Sequence, residues 1–169
     1  MSRTHKLVAC AVLVAGASLL AIHASPNGGE ERFTKLKSLV GDWTEAGGDG
    51  SVAVTYRLTG GGSALVETIH PGKTEEMITV YTVDKGDLVL THYCMMANQP
   101  RMKAAPGGDP STIAFKFDGG GNLASPGDAH MHNMEITFVG GDHVKATWHM
   151  YSSGKESDTR TFDLSRKKV

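Results

Sequence analysis

Alternation of apolar and polar residues is the main pattern along this chain. Apolar residues occupy every second position in residues 52–58, 112–117 and 143–150. Successive side chains of a β-strand point to opposite faces, so a period of two predicts strands with one buried face. The predicted strands are residues 42–46, 51–58, 64–70, 77–84, 87–95, 100–104, 112–118, 130–138, 143–151 and 158–165.

Glycine-rich turns separate these strands. Residues 47–50, 60–62 and 119–121 are clusters of this kind, and glycine supplies the positive φ that tight hairpin turns need. Most connections are too short for crossovers, which favours consecutive antiparallel pairing and closure of the sheet. The pattern therefore predicts an all-β fold, an up-and-down antiparallel β-barrel of about ten strands.

A short helix is predicted before the first strand. Phe33, Leu36, Leu39 and Val40 recur at helical spacing, and Gly41 ends the run. Residues 25–32 are polar and glycine-rich and are assigned to a flexible lead, so that the barrel domain comprises residues 33–169.

The N-terminus has the pattern of an export signal. Arg3 and Lys6 precede an uncharged apolar run over residues 7–22, and Ala24 is a plausible cleavage point. A run of this length is shorter than the roughly 20 residues that span a bilayer. We therefore predict a signal peptide at residues 1–24, a mature chain without a membrane span, and export to the periplasm or the outside.

A lipid anchor is the less favoured alternative. Residues 7–10 (Leu-Val-Ala-Cys) have the form of a lipobox, but the apolar run continues well beyond Cys10. Lipid attachment would require the cysteine to follow the apolar segment.

Charge and cysteine content limit which partners and which covalent cross-links the mature chain can have. Loss of Arg3 and Lys6 leaves 15 basic residues against 18 acidic ones, with no basic cluster, which argues against nucleic acid as a partner. Cys94 is the one cysteine beyond the signal, so the mature chain forms no internal disulfide.

A family resemblance follows from Gly41-Asp42-Trp43 at the start of the first strand. With a helix before it and a meander after it, the chain resembles the lipocalin-like (calycin) barrels. It is also similar to bacterial exported domains of unknown function, through residues 61–67, 92–94 and 98–101. The resemblance implies that Arg166 packs over Trp43 and bonds the helix. The chain lacks the paired cysteines and long C-terminal helix of typical lipocalins; another β-barrel with Trp43 as a core aromatic is the alternative.

Polar residues cluster where the meander predicts one end of the barrel. Successive turns alternate between the two ends, so the odd-numbered turns share the end opposite the helix. His92 and Cys94 finish a strand running toward that end, and His130 and His132 begin a strand leaving it. The latter two are two positions apart and should share the inward face of Met134.

Several chemistries fit these residues. His130 and His132 with His92 or Cys94 could form a three-ligand zinc site, and the competing interpretation is a hydrogen-bonded polar rim. A cupin site is disfavoured, because Glu135 falls on the opposite face of its strand.

Three further candidates accompany the histidines. Haem is disfavoured because the alternation places His149 outward. Cys94 could be a nucleophile, but no orienting acid is identifiable, and a small core residue is the favoured interpretation. A carboxylate could be bound by Asn98, Gln99 and Arg101. The alternative is that the two amides stabilise a turn and that Arg101 is a solvent-exposed strand residue.

The residues together favour a binding protein over an enzyme. The leading hypothesis is an exported barrel that binds a small, partly apolar molecule in its mouth, with no cofactor assigned. The alternatives are a metal- or haem-dependent protein using the mouth histidines, and a structural or partner-binding barrel with a filled interior.

Overall fold

A computed structural model describes residues 28–168. The predicted signal peptide and residues 25–27 of the predicted lead lie outside the described residues. Within them, helix α1 and a 3₁₀ turn at Gly60–Gly62 accompany ten strands. The elements are α1 (Gly29–Lys37), β1 (Gly41–Glu45), β2 (Val52–Thr59), β3 (Ala64–Ile69), β4 (Met77–Asp84), β5 (Asp87–Tyr93), β6 (Gln99–Ala104), β7 (Thr112–Gly121), β8 (His130–Gly140), β9 (His143–Ser152) and β10 (Lys155–Arg166).

The strands form a closed antiparallel barrel. Each strand pairs with its neighbours in sequence, and β10 closes the barrel by pairing with β1 through Trp43 and Arg166. The predicted all-β, up-and-down barrel of ten strands with one short helix is confirmed. Predicted strand 87–95 ends at Tyr93, because Cys94 enters a turn closed by the hydrogen bond from Ala97 N to Cys94 O.

Helix α1 begins at Gly29, so residues 29–32 are helical rather than part of a flexible lead. A Cβ at Gly29 would collide with the backbone of Gly86 and Leu88, so only glycine lets the helix pack this closely on the β4–β5 turn. Arg32 and Lys35 donate to the carbonyls of Ala105 and Pro110 in the β6–β7 connection. The helix therefore covers the end of the barrel where the even-numbered turns lie, here called the helix end.

The barrel interior is packed with large side chains. Residues from α1 and nearly every strand contribute to this core. The ten residues given at the end of this paragraph each expose at most 3% of their surface. Trp148 is among them, so the inward face predicted for β9 is correct. These core residues include Trp43, Tyr56, Leu65, Tyr81, Leu90, Met102, Phe115, Met134, Ile136 and Trp148.

Trp43 and Arg166 join the first and last strands to the helix. The Arg166 guanidinium lies 4.4 Å from the centre of the Trp43 ring and donates to the carbonyls of Val40 and Ser38. Trp43 Nε1 donates to Leu39 O at 2.7 Å. Gly41 has φ 130°, and a Cβ there would lie 3.1 Å from Arg166 Nη1, which explains the glycine two residues before the tryptophan.

No helix in residues 28–168 is long and apolar enough to cross a membrane.

Candidate functional site at the distal end of the barrel

The end opposite α1, here called the distal end, carries the five odd-numbered connections. Two of them, residues 94–98 and 122–129, are tied together. Asn98 Nδ2 donates to Ala129 O at 2.8 Å, and Asn122 Nδ2 donates to Ala97 O at 2.6 Å. These two loops therefore form one cover over this part of the barrel.

A row of polar side chains crosses four neighbouring strands, β2 to β5. Tyr56 on β2 pairs with Glu67 on β3, Glu67 with Thr79 on β4, and Thr79 with His92 on β5. Directly paired residues of antiparallel strands share a face, so all four side chains point into the barrel. Each is buried. We call Tyr56, Glu67, Thr79 and His92, together with Tyr81, the interior polar chain.

Hydrogen bonds link the interior polar chain end to end. Tyr56 Oη donates to Glu67 Oε1 at 2.7 Å, and Tyr81 Oη donates to Glu67 Oε2 at 2.8 Å. The Thr79 hydroxyl also hydrogen-bonds the Glu67 carboxyl, and its oxygen lies 3.0 Å from His92 Nδ1. One carboxyl group thus receives three hydroxyls, and the third connects it to the imidazole.

Burial sets the protonation of this chain. It raises the pKa of Glu67, while the three hydroxyl donors oppose that shift. Burial and then the charge of Glu67 raise the pKa of Tyr56 and Tyr81, so both phenols stay neutral. Burial lowers the pKa of His92 to about 4, so its imidazole is neutral at physiological pH.

Three buried polar atoms near this region have no hydrogen-bond partner among the described residues. They are His92 Nε2, Trp148 Nε1 and Asn98 Oδ1. The His92 and Trp148 rings are in contact across the barrel, with centroids 4.6 Å apart. Leaving such an atom unpaired costs about 1–3 kcal/mol, which makes this pair of rings the strongest candidate for contact with another molecule.

His130 and His132 form a second aromatic group, here called the histidine pair. His130 Nδ1 lies 2.6 Å from Asp128 O, and its Nε2 lies 2.9 Å from His132 Nδ1. A carbonyl only accepts, so His130 donates from Nδ1 to Asp128 O. The His132 ring is stacked between Phe117 and Tyr151, at centroid distances of 4.8 and 4.0 Å. Burial, followed by the charges of His130 and Lys116, lowers the pKa of His132.

The two groups do not meet. Within residues 28–168 no ring contact or hydrogen bond joins His92 to the histidine pair, and no three His, Cys, Asp or Glu side chains are arranged to hold a metal ion. The alternation that put both histidines on the face of Met134 is interrupted by a register shift between Met131 and Asn133. His130 therefore pairs with Tyr151, one position out of phase with Trp148.

The remaining sequence candidates take separate places. The Cys94 thiol is partly buried, and burial raises its pKa, which disfavours a reactive thiolate. Gln99 Nε2 donates to Ala97 O within the cover. Arg101 is half-exposed and bonds Asp84 at 2.8 Å, so a carboxylate of the protein already occupies its guanidinium.

The sequence pattern missed most of the interior polar chain. Segment 64–70 is mixed on both faces, so the inward orientation of Glu67 was not visible in it. Tyr56 and Tyr81 were indistinguishable from core aromatics. The available signal was a carboxylate that pairs with hydroxyl residues on both adjacent strands. That signal can be recognised only when the pairing of the strands is known.

The larger surface clefts lie elsewhere. One of about 450 Å³ runs between α1 and residues 106–113, where Arg32 and Lys35 bond backbone carbonyls. Another, of about 510 Å³, is lined by Gly41, Asp42 and residues 166–168. Both are at the helix end.

Comparison of the chain with protein-family models and with curated proteins finds no match.

Proposed function

We propose that this protein is an exported, lipocalin-like binding module that holds a small, partly apolar molecule at the distal end of its barrel. The observation that carries the proposal is the contact between two buried rings, His92 and Trp148, whose Nε2 and Nε1 atoms have no partner among the described residues. A ligand that supplies those hydrogen bonds would gain energy that the protein alone leaves unused.

The cover above these rings supplies the apolar part of the proposed site. Met95 exposes 61% of its surface and Met96 36%, and the preceding Tyr93 is half-exposed. Unbranched methionine side chains adapt to varied apolar shapes. Ala97 has φ 58°, a left-handed conformation that costs energy for a residue with a Cβ. An exposed apolar loop with local strain is suited to rearrange around a ligand.

The packed interior limits where the ligand sits. Met102, Phe115 and Met134 fill the barrel and are fully buried. The proposed ligand therefore lies between the interior polar chain and the cover, and loop 94–98 moves to admit it.

The proposal is tested by ligand-observed NMR on the mature chain with a library of small, uncharged, partly aromatic molecules. We expect binders whose affinity falls about fivefold in Met95→Ser and Met96→Ser, the loss of roughly 1 kcal/mol of apolar contact. Val139→Ser is the matched control, because Val139 is 53% exposed and lies where β8 reaches the helix end. Binding that is equal in all four proteins, or no binding at all, would contradict the proposal.

A second candidate is a barrel whose distal end contacts another protein. The filled interior and the exposed Tyr93, Met95 and Met96 favour it. This candidate predicts a protein complex whose affinity falls in Tyr93→Ser and Met95→Ser. It also predicts that the NMR resonances of the His92 and Trp148 rings do not change when the complex forms.

A further inference from the structure

The interior polar chain determines which nitrogen of His92 carries the proton. While Glu67 is ionised it can only accept, so Tyr56, Tyr81 and Thr79 all direct their hydrogens to it. The single hydrogen of the Thr79 hydroxyl is then used. The Thr79 oxygen, 3.0 Å from His92 Nδ1, is left to accept.

While Glu67 is ionised, His92 must therefore donate from Nδ1. Its pKa of about 4 keeps the imidazole neutral, so the ring has one hydrogen, and Nε2 carries a lone pair. Trp148 Nε1 has the opposite character, because an indole nitrogen only donates. The two unpartnered atoms are thus one acceptor and one donor on rings whose centroids lie 4.6 Å apart.

We propose that His92 Nε2 and Trp148 Nε1 form a recognition pair for an uncharged hydroxyl group, as found on an alcohol or a phenol. One hydroxyl oxygen can donate its hydrogen to His92 and accept from Trp148. The inference rests on the proposed function, whose ligand class it specifies.

Charged groups fit this pair poorly. A carboxylate has no hydrogen for His92 Nε2, and its charge would be buried near the carboxylate of Glu67. An ammonium group could donate to His92 but has no lone pair for Trp148. An ether accepts from Trp148 and leaves the imidazole unpaired.

The tautomer is tested first, without any ligand. Nitrogen-15 NMR of the mature chain at neutral pH should show His92 protonated at Nδ1 and bare at Nε2. In Thr79→Val the acceptor is removed at nearly constant volume, and the preference should weaken or reverse. A wild-type His92 protonated at Nε2 would overturn the inference, whereas the proposed binding function would stand.

The ligand class is tested with four matched probes: p-cresol, 4-methylanisole, 4-methylbenzoate and 4-methylbenzylamine. We expect p-cresol to bind at least about tenfold more tightly than the other three, since each lacks one of the two hydrogen bonds. Trp148→Phe and Thr79→Val should each reduce that preference to about threefold or less, and Val139→Ser should keep it. The use of two site variants keeps the test open if one of them fails to fold.

The outcomes separate the two proposals. Equal binding of p-cresol and 4-methylanisole, or a crystal structure with one water bridging His92 and Trp148 that p-cresol does not displace, would overturn the hydroxyl class. If library molecules of another class bind at the distal end, the binding function survives that result. If neither the library molecules nor the four probes bind, both proposals fail. The protonation of His92 at Nδ1, if NMR finds it, would then be a property of the fold with no role in binding.

Discussion

The two ends of the barrel treat their polar groups differently. At the helix end, Arg32, Lys35 and Arg166 each donate to backbone carbonyls, and Trp43 donates to Leu39 O. At the distal end, His92 Nε2 and Trp148 Nε1 are buried without partners among the described residues. Both ends thus contain a buried tryptophan, but only one tryptophan has its hydrogen bond.

We interpret this difference as a division between a stabilising end and the proposed binding end of one fold. A group with a satisfied partner contributes to holding the chain closed, and its removal leaves another group unpaired. A group without a partner contributes only packing, and its polar atom remains available to a ligand. The helix end is therefore the structural end of the barrel, and the distal end is the one we propose for binding.

Replacing each of the two tryptophans should give the largest difference in stability between the two ends. Trp43→Ala is expected to reduce the free energy of unfolding by ~5 kcal/mol, because it removes a buried ring, its hydrogen bond and the Arg166 contact. Trp148→Ala is expected to cost about 3 kcal/mol, since the lost packing is partly offset by removal of an unpartnered N–H. Urea unfolding of both variants measures the two losses; equal losses would remove the distinction between the ends.

Acid should destabilise the distal end through His92. Its pKa in the folded state is about 4, below the ordinary value of 6.5, so the unfolded chain takes up the proton first as pH falls. Stability is therefore lost progressively from about pH 6.5 down to about pH 4, by ~3 kcal/mol in total.

Comparison with His92→Phe isolates this effect. The raised pKa of Glu67 acts in the opposite direction, because a group protonated more readily in the folded state loses stability as pH rises through its range. That contribution is present in both proteins as long as Glu67 keeps its surroundings. Unfolding free energies at several pH values should show a steeper acid loss for the wild type, and parallel curves would refute the assignment to His92.

Gly41→Ala should have a moderate effect confined to the helix end. The φ of 130° disfavours any side chain, and the new Cβ would push against Arg166 Nη1. We expect a loss of about 1–3 kcal/mol. Trp43 fluorescence should shift as Arg166 moves, while the His92 resonances stay in place; a change at His92 would show that the two ends are coupled.

The smallest effect is expected at the cover. Met95→Ser should change the unfolding free energy by less than about 0.5 kcal/mol, the range of exposed positions. The same variant is expected to weaken ligand binding. Thermal denaturation compared with Val139→Ser checks this, and a large loss would mean that Met95 belongs to the packed core.

The local pattern was sufficient for the architecture. Alternation in β2, β7 and β9 and the glycine turns between strands identified ten strands, because period-two burial and positive φ are local requirements of a meander. The tripeptide Gly41-Asp42-Trp43 likewise pointed to Arg166. In the lipocalin-like barrels that the chain resembles, a basic residue after the last strand packs over the tryptophan of the first strand.

Only the tertiary structure decided which polar residues meet. Glu67 lies in a strand with mixed faces, and its row with Tyr56, Thr79 and His92 exists because four strands pair in one register. The shift between Met131 and Asn133 moved His130 out of phase with Trp148 and apart from His92. Register and bulges depend on contacts between strands distant in sequence, so alternation within one strand could not specify them.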